Sequence, residues 1–499
     1  MSDIKLEFGN LEVLRTVNPC LMSYNVEMTE VTGGTFWKAY SPAQIDGSEL
    51  FPPITSAADM GNLMQWYDPI ESTNPRLRKL AREFGPAWMR VSGTWATKTY
   101  YDFEGTGVTP DGYQNRMTRE QWINILDFAD AVGAKILISV ANCEGLHSAD
   151  EPWNPSQAEK IFALSVEHGH PIDAVEFTNE PNMMEMTGFP HGYTAEHFRR
   201  DQDIFHKWVR ENYPDTLIVG PCSIDAMTTD LPGGKSAAGI GAAFGTLCST
   251  DDLMEDCTEK LDVFSYHYYN GISERLASMM PQMHWQPEEA ISEPYLAMAG
   301  CCARNGAALR DKYVPGGEAW VTESGDAGGG GDTWASTYLD VFRTLNELGE
   351  FCTITDGVIF HNTLASSDYG FLDHHDYMPR PNYFAVLLWT RLMGTTVYNS
   401  GIAIQEGAHV FCHSRKDGKD GCVYLVINNS ATEAATVELP KDAVRYTLAG
   451  RDGIRSRVMT LNGHDLLLGE NDELPCLDGE PVDAGSIELA PATCTFFVL

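Results

Sequence analysis

The stretch Val175-Glu176-Phe177-Thr178-Asn179-Glu180-Pro181-Asn182 reads as an apolar strand, Ala174 to Thr178, that ends in Asn-Glu-Pro. Seven other short apolar runs rich in β-branched residues share its texture: Leu21 to Glu27, Ala87 to Val91, Lys135 to Ala141, Thr216 to Gly220, Leu261 to His267, Ala319 to Glu323 and Gly357 to His361. Helix-like stretches separate them. Asn74 to Phe84 reads NPRLRKLAREF, and Ser156 to His168 sets Ile161, Leu164 and Val166 on one apolar stripe. Alternating strand and helix is the pattern of a parallel α/β fold. Eight strands spread over roughly 370 residues fit a (β/α)8 barrel with long insertions better than an open sheet.

This barrel is expected over residues 17–394. Beyond about 395 the texture becomes all-β: His409 to Ser414, Cys422 to Asn428, Thr436 to Leu439, Val458 to Leu461, Ser486 to Leu489 and Thr493 to Leu499 are separated by Gly, Asp and Asn turns. Residues 395–499 are therefore expected to form a β-sandwich. The opening segment, Lys5 to Thr16 within residues 1–16, alternates in the same way and reads as an extra strand of that sandwich.

In such a barrel, catalytic groups stand at the C-terminal ends of the strands. Glu180 stands there on the fourth strand. Ala319-Trp320-Val321-Thr322-Glu323-Ser324-Gly325 brings a second carboxylate, Glu323, to the end of the seventh. A strand-end glutamate alone is as often a loop cap or an ion-pair partner. Two on one barrel mouth can flank a glycosidic bond, and a retaining reaction requires them ~5 Å apart. Glu323, ionised, would attack the anomeric carbon. Glu180, protonated, would donate to the leaving oxygen and later deprotonate the water that cleaves the glycosyl ester. The charge on Glu323 is expected to raise the pKa of Glu180.

The 499 residues carry 34 Lys and Arg against 70 Asp and Glu, a net charge of −36. That charge argues against nucleic acid and anionic membrane surfaces as partners. No apolar run reaches the ~18 residues of a membrane helix. Met1 to Glu7 lacks the basic and apolar regions of a secretory signal, and twelve scattered cysteines form no CxxC pair, so the expectation is a reduced, cytoplasmic protein. Several motifs are decoys. Gly233-Gly234-Lys235-Ser236 lacks the glycine a phosphate-binding loop needs at position 229, and Gly239-Ile240-Gly241 is not completed as a dinucleotide fingerprint. Asp373-His374-His375-Asp376 has metal-ligand composition without zinc spacing. Arg76, Arg78, Lys79 and Arg82 read as a solvated helix face.

The chain resembles glycoside hydrolase family 79, the heparanase and β-glucuronidase group. The resemblance runs through RLRKLAREFGPAWMRVSGT (76–94), ISVAN before WNPSQAE (138–159), VEFTNEPN (175–182), DVFSYHYYNG (262–271), VTESGDAGGGG (321–331) and DYMPRPNYFAVLLWTRLMGTTVY (376–398). It implies Glu180 as acid/base, Glu323 as nucleophile, and Asn179 as a donor to the sugar 2-hydroxyl. It implies that Tyr268 contacts the nucleophile, with Tyr266 and His267 beside it; at least one of these three is expected in core packing, because neighbours on a strand alternate faces. Gly328, Gly329, Gly330 and Gly331 would offer backbone N–H groups to a glucuronate carboxylate, aided by Tyr369, and Glu27 would bind sugar hydroxyls. Arg90 would support Glu323 electrostatically. Asp326, preceding the glycines, departs from the family pattern and is unhelpful near a carboxylate unless it points away. No metal or organic cofactor is called for.

The function implied is a retaining, exo-acting β-glucuronidase acting on a glucuronide or oligosaccharide. Endo-acting cleavage of a sulfated polymer suits a chain at −36 poorly. A β-glycosidase for a neutral sugar and a non-catalytic carbohydrate-binding protein are the other readings.

Overall fold

The computed structural model describes residues 3–54, 57–227, 231–236 and 247–499. Thr229 and the Gly239-Ile240-Gly241 run lie outside the described residues. Eight parallel strands close into a barrel: β1 (Met22–Glu27), β2 (Ala87–Ser92), β3 (Ala134–Ser139), β4 (Ala174–Glu176), β5 (Leu217–Ser223), β6 (Val263–Ile272), β7 (Ala319–Gly328) and β8 (Ile359–His361). Each pairs with the next, and β8 pairs with β1. Strands buried on both faces must be apolar nearly throughout, which is why the eight runs were legible. The strand expected to reach Thr178 stops at Glu176. There Phe177 turns outward onto Phe198 and Phe205, and Thr178 Oγ1 meets Thr97 Oγ1 at 3.2 Å.

The barrel interior is layered. Trp88, Leu137, Ala174, Val219, Val263, Trp320, Val358 and Phe360 fill its lower end with a separate apolar cluster. Above them the lining turns polar, with Ser139, Glu176, Arg90, Ser265 and Thr322 all buried. The surrounding helices are set by local signals. In Pro75–Glu83 the Asn74 side chain accepts from the N–H groups of Arg76 and Leu77, while Leu77, Leu80 and Ala81 face the core. Three basic side chains of that helix are engaged rather than merely solvated: Arg76 pairs with Asp472 at 2.6 Å, Arg78 donates to the Ser72 carbonyl, and Arg82 donates to the Ala131 carbonyl. In Ala158–Glu167, Ile161 and Leu164 are buried with Phe162, but Val166 is 50% exposed and does not belong to the stripe.

The C-terminal region forms two sheets. A nine-stranded sheet begins with Met393–Tyr398, which pairs with both Val13–Thr16 and His409–Arg415. Asp3–Lys5 adds to a three-stranded sheet beside Ala435–Leu439. Strand alternation divides the large sheet between two cores. Val423, Leu425 and Ile427 face the barrel helices, whereas Tyr424 and Val426 face the small sheet, together with Ile4 and Val437. Cys143, Cys222, Cys302, Cys352, Cys412, Cys422 and Cys494 are buried as thiols. Among the described residues no helix is long and apolar enough to cross a membrane.

Barrel and large sheet meet where Gly349, on helix Leu339–Ile354, lies against Phe411. A Cβ at Gly349 would come within 2.3 Å of that ring. Gly349→Ala is expected to destabilise the chain by about 1–3 kcal/mol, the usual range for overpacking. Equilibrium denaturation checks this.

Candidate active site

The polar layer is organised by Arg90 of β2. Its guanidinium grips Glu176 at 2.6 and 3.1 Å, donates to Asn179 Oδ1 at 2.7 Å, and reaches Glu323 Oε2 at 3.3 Å. Ser92, Ser139 and Cys222 also donate to Glu176. Burial opposes ionisation of Glu176, but Arg90 and these donors outweigh it and lower its pKa to about 2. Arg90 therefore stays paired with a fixed anion beneath the barrel mouth.

The mouth carries the two carboxylates picked out from sequence. Glu180 lies four residues past Glu176 in a left-handed conformation, φ 44° and ψ 56°, held by Pro181, which opens a 3₁₀ turn over Pro181–Met183. Glu323 sits in β7 opposite His267 in the β6 register. His267 Nδ1 stands 3.0 Å from Glu180 Oε1 and 3.3 Å from Glu323 Oε2. One oxygen of each carboxylate lies within 4.8 Å of the other. Arg90 Nη2 faces His267 Nε2 at 3.3 Å and can only donate, so Nε2 accepts and the ring proton resides on Nδ1, between the two glutamates. Burial lowers the His267 pKa to about 4, which keeps the ring neutral.

Glu180, His267 and Glu323 have the composition and spacing of a metal site. The chemistry does not fit one: the histidine nitrogen that faces the carboxylates holds a proton rather than a lone pair, and Arg90 lies in the same shell. A second cluster, Glu274, His284 and Asp332, is a charged pair instead. Burial disfavours the imidazolium, but Glu274 at 3.0 Å and the charge of Asp332 raise the His284 pKa to about 8. In the Asp373-His374-His375-Asp376 run, His374 faces the Ala365 carbonyl and Asp373 faces Arg380, so the acids and imidazoles share no centre.

The Glu180 pKa is raised to about 7. Burial is the main cause. The carboxylate that adds to it is Glu176, not Glu323 as expected from sequence. Glu323 Oε1 accepts from Tyr269 Oη at 2.5 Å and from Asn362 Nδ2 at 3.2 Å.

Tyr269 corrects a sequence assignment. Tyr268, expected against Glu323, points the other way, where its hydroxyl donates to Asn270 and its ring packs 5.5 Å from Phe351. Tyr266 lies on that same outer face, 6.4 Å from Phe351 and against Gly306. Side chains alternate along β6, so the residues sharing the inward face of His267 are Ser265 and Tyr269. That parity was available in the sequence. Asn362, just past β8, had no such signal; its amide joins Glu323 to the hydroxyls of Tyr269 and Tyr369.

The mouth opens into a cavity of about 340 Å³, lined by Glu27, Asn179, Glu180, Glu323, Gly328, Gly329 and Tyr369 among others. Glu27 is buried against Gly93, where a Cβ would lie 1.7 Å from its Oε2. Burial and then the charge of Glu323 push the Glu27 pKa well above the usual carboxylate range. The glycine run adopts φ 94°, 92° and 84° at Gly329, Gly330 and Gly331. Its carbonyls are pinned from behind. Arg275 holds those of Gly329 and Gly331, and Ser367 holds that of Gly330. The N–H groups of Gly329 and Gly330 donate to no acceptor among the described residues. Asp326 is buried outside this cavity, accepts from the Asp332 N–H, and is pushed toward its neutral form by burial and by the charges of Asp340 and Asp332.

No family model matches the chain. Curated relatives include a baicalin-β-D-glucuronidase from Scutellaria baicalensis, 23% identical over 86% of this chain and 83% of that protein. Heparanase from Mus musculus is 23% identical over 85% of this chain and 86% of its own length. Among solved structures, a 4-O-α-L-rhamnosyl-β-D-glucuronidase from Fusarium oxysporum superposes with a TM-score of 0.62 at 12% identity, covering 99% of this chain and 100% of that one, and so shares the fold. Along most of its length the chain is thus similar, at about 23% identity, to curated proteins named as a β-glucuronidase and as heparanases, the group that its sequence motifs resemble.

Proposed function

We propose that the protein is a retaining, exo-acting β-glucuronidase. The observation that carries the reading is the pair of carboxylates within 4.8 Å, in unlike environments. So close an approach of the two groups supports direct nucleophilic attack over a water held between two acids. Glu323, held by Arg90, Tyr269 and Asn362, attacks the anomeric carbon while Glu180 gives its proton to the leaving oxygen. The resulting glycosyl ester carries no charge on Glu323. Glu180, now ionised, takes a proton from water as the ester is cleaved. The neutral His267 keeps its Nδ1 proton throughout and orients both carboxylates.

The glucuronate reading is supported by the two unengaged N–H groups of the glycine run and by the nearby Tyr369 hydroxyl. Backbone donors of this kind form anion-binding concavities even in an acidic chain. Asn179, its Oδ1 occupied by Arg90, turns its amide donors toward the sugar 2-hydroxyl. With Asp326 outside the cavity, the sequence argument for a neutral sugar loses its basis. Exo action is supported by the hairpin of Gly34–Trp37 and Met64–Tyr67: Trp37 packs onto Gly330 and walls off the glucuronate end of the cavity. The names of the relatives, which include glucuronidases, support glucuronate as the sugar.

Three outcomes test this reading. Glu323→Ala lowers kcat on an aryl β-glucuronide by about 10³-fold or more, and added azide restores turnover as the inverted glycosyl azide; residual hydrolysis near the wild-type level overturns the role. Glu180 must be protonated in the free enzyme, so kcat/KM falls as pH rises through about 7. That alkaline limb disappears in Glu180→Gln, which loses about 10²–10⁴-fold on poor leaving groups. Finally, a Cβ at Gly330 would meet Trp37 and Ser367 at 2.6 Å. Gly330→Ala therefore lowers kcat/KM for the glucuronide about tenfold or more relative to the matching glucoside, the scale of one lost hydrogen bond to a charge.

A further inference from the structure

The N–H groups of Gly329 and Gly330 meet no acceptor among the described residues, yet their directions are fixed. A peptide unit is planar and trans, so each N–H points opposite to the carbonyl joined to its nitrogen. The Gly328 carbonyl therefore aims the Gly329 N–H, and the Gly329 carbonyl aims the Gly330 N–H. Glycine takes either sign of φ at little cost, and such a plane turns over readily unless its carbonyl is held. Both carbonyls are held by the segment just past β6. The Ser273 N–H donates to the Gly328 carbonyl at 2.9 Å. Ser273 Oγ and Arg275 Nη1 donate to the Gly329 carbonyl at 3.0 and 3.2 Å.

Arg275 reaches further than this one plane. Its Nη1 also donates to the Gly331 carbonyl at 2.8 Å, its Nε and Nη2 to the Lys38 carbonyl at 3.0 and 2.5 Å, and its Nη2 to Asp368 Oδ2 at 2.5 Å. Every N–H of the guanidinium is thereby engaged. Lys38 follows Trp37 at the end of the hairpin strand, and Asp368 precedes Tyr369. One planar group thus sets the glycine donors, the Trp37 wall and the Tyr369 segment at fixed distances from one another. Arg275 is fully buried and stands outside the lining of the cavity, so it acts on a substrate only through what it holds. We infer that Ser273 and Arg275 are positioning residues that set the preference for a carboxylate-bearing sugar over its neutral counterpart. The inference rests on the glucuronate reading of the same cavity. Donors fixed beforehand spare the cost of ordering them on binding. The sugar carboxylate is remote from the bond that breaks and is held alike before and during the reaction, so its loss of support appears in KM rather than in kcat.

The test measures kcat/KM for phenyl β-glucuronide against phenyl β-glucoside. Arg275→Lys keeps the charge opposite Asp368 but replaces a five-donor planar fork by three donors on one nitrogen. The glucuronide-to-glucoside ratio is expected to fall about tenfold, with a higher KM for the glucuronide and kcat little changed. Ser273→Ala removes only the hydroxyl from the Gly329 carbonyl and leaves every charge in place; the ratio falls several-fold. That variant carries the test should Arg275→Lys fail to fold. A purely structural part for these residues lowers turnover of both glycosides alike, so an unchanged ratio in the folded variants overturns the inference. A wild type that prefers the glucoside refutes the glucuronate reading and this inference with it. A wild type that prefers the glucuronide, with the ratio preserved in the variants, refutes the inference alone. Should neither glycoside turn over, calorimetry with a piperidine iminosugar in its 6-carboxylate and 6-hydroxymethyl forms reads the same ratio as dissociation constants, with the same outcomes.

Discussion

The buried contact between Arg90 and Glu176 is the constraint on which the active site depends. Both side chains are closed off from solvent inside the barrel. An isolated charge there would be unstable, and removing one partner of such a pair costs about 3–5 kcal/mol. Pairing leaves part of the guanidinium's planar fork free, and it points its remaining donors toward Asn179, His267 and Glu323. One rigid cation thus sets an amide orientation, a histidine tautomer and the seat of a carboxylate. The apolar layer beneath, with Trp88 and Trp320 at 4.9 Å, keeps water from reaching the pair from below.

Glu180 and Glu323 have the same chemistry and are kept different by surroundings. Glu323 receives donors from three sides, Arg90, Tyr269 and Asn362. Glu180 has the His267 Nδ1–H and otherwise faces burial and the charge of Glu176. Burial with few donors is what lifts the Glu180 carboxyl into the neutral range.

A net charge of −36 does not prevent local donors from being gathered at one place on the chain. Arg275, Ser273 and Ser367 hold the carbonyls of the glycine run, the N–H groups of Gly331 and Asp332 donate to the Ala327 carbonyl and to Asp326, and those of Gly329 and Gly330 are left without an acceptor among the described residues. Arg275 is itself neutralised by Asp368 and lies over the Tyr40 ring, so it shapes the loop without contributing an exposed charge. The acidic Asp326 is accommodated in the same understructure, where burial disfavours its ionisation.

The fold and the two glutamates were legible in the order of residues. Apolar runs of strand length, each ending at the same side of a barrel, need no distant information to be recognised, and Glu180 and Glu323 follow as the acids at two of those ends. The parity of β6 was equally present in the sequence, and counting two residues on from His267 reaches Tyr269 rather than Tyr268. Other features were decided only by the closed structure. Asn362, Ser273 and Arg275 look like ordinary loop or helix residues until the chain returns from eight directions to one mouth. The direction in which Asp326 points, and the exposure of Val166, depend on what packs across from them. Local periodicity determines which face of an element is apolar; which other element that face meets, and hence the field around each charge, exists only once the barrel has closed.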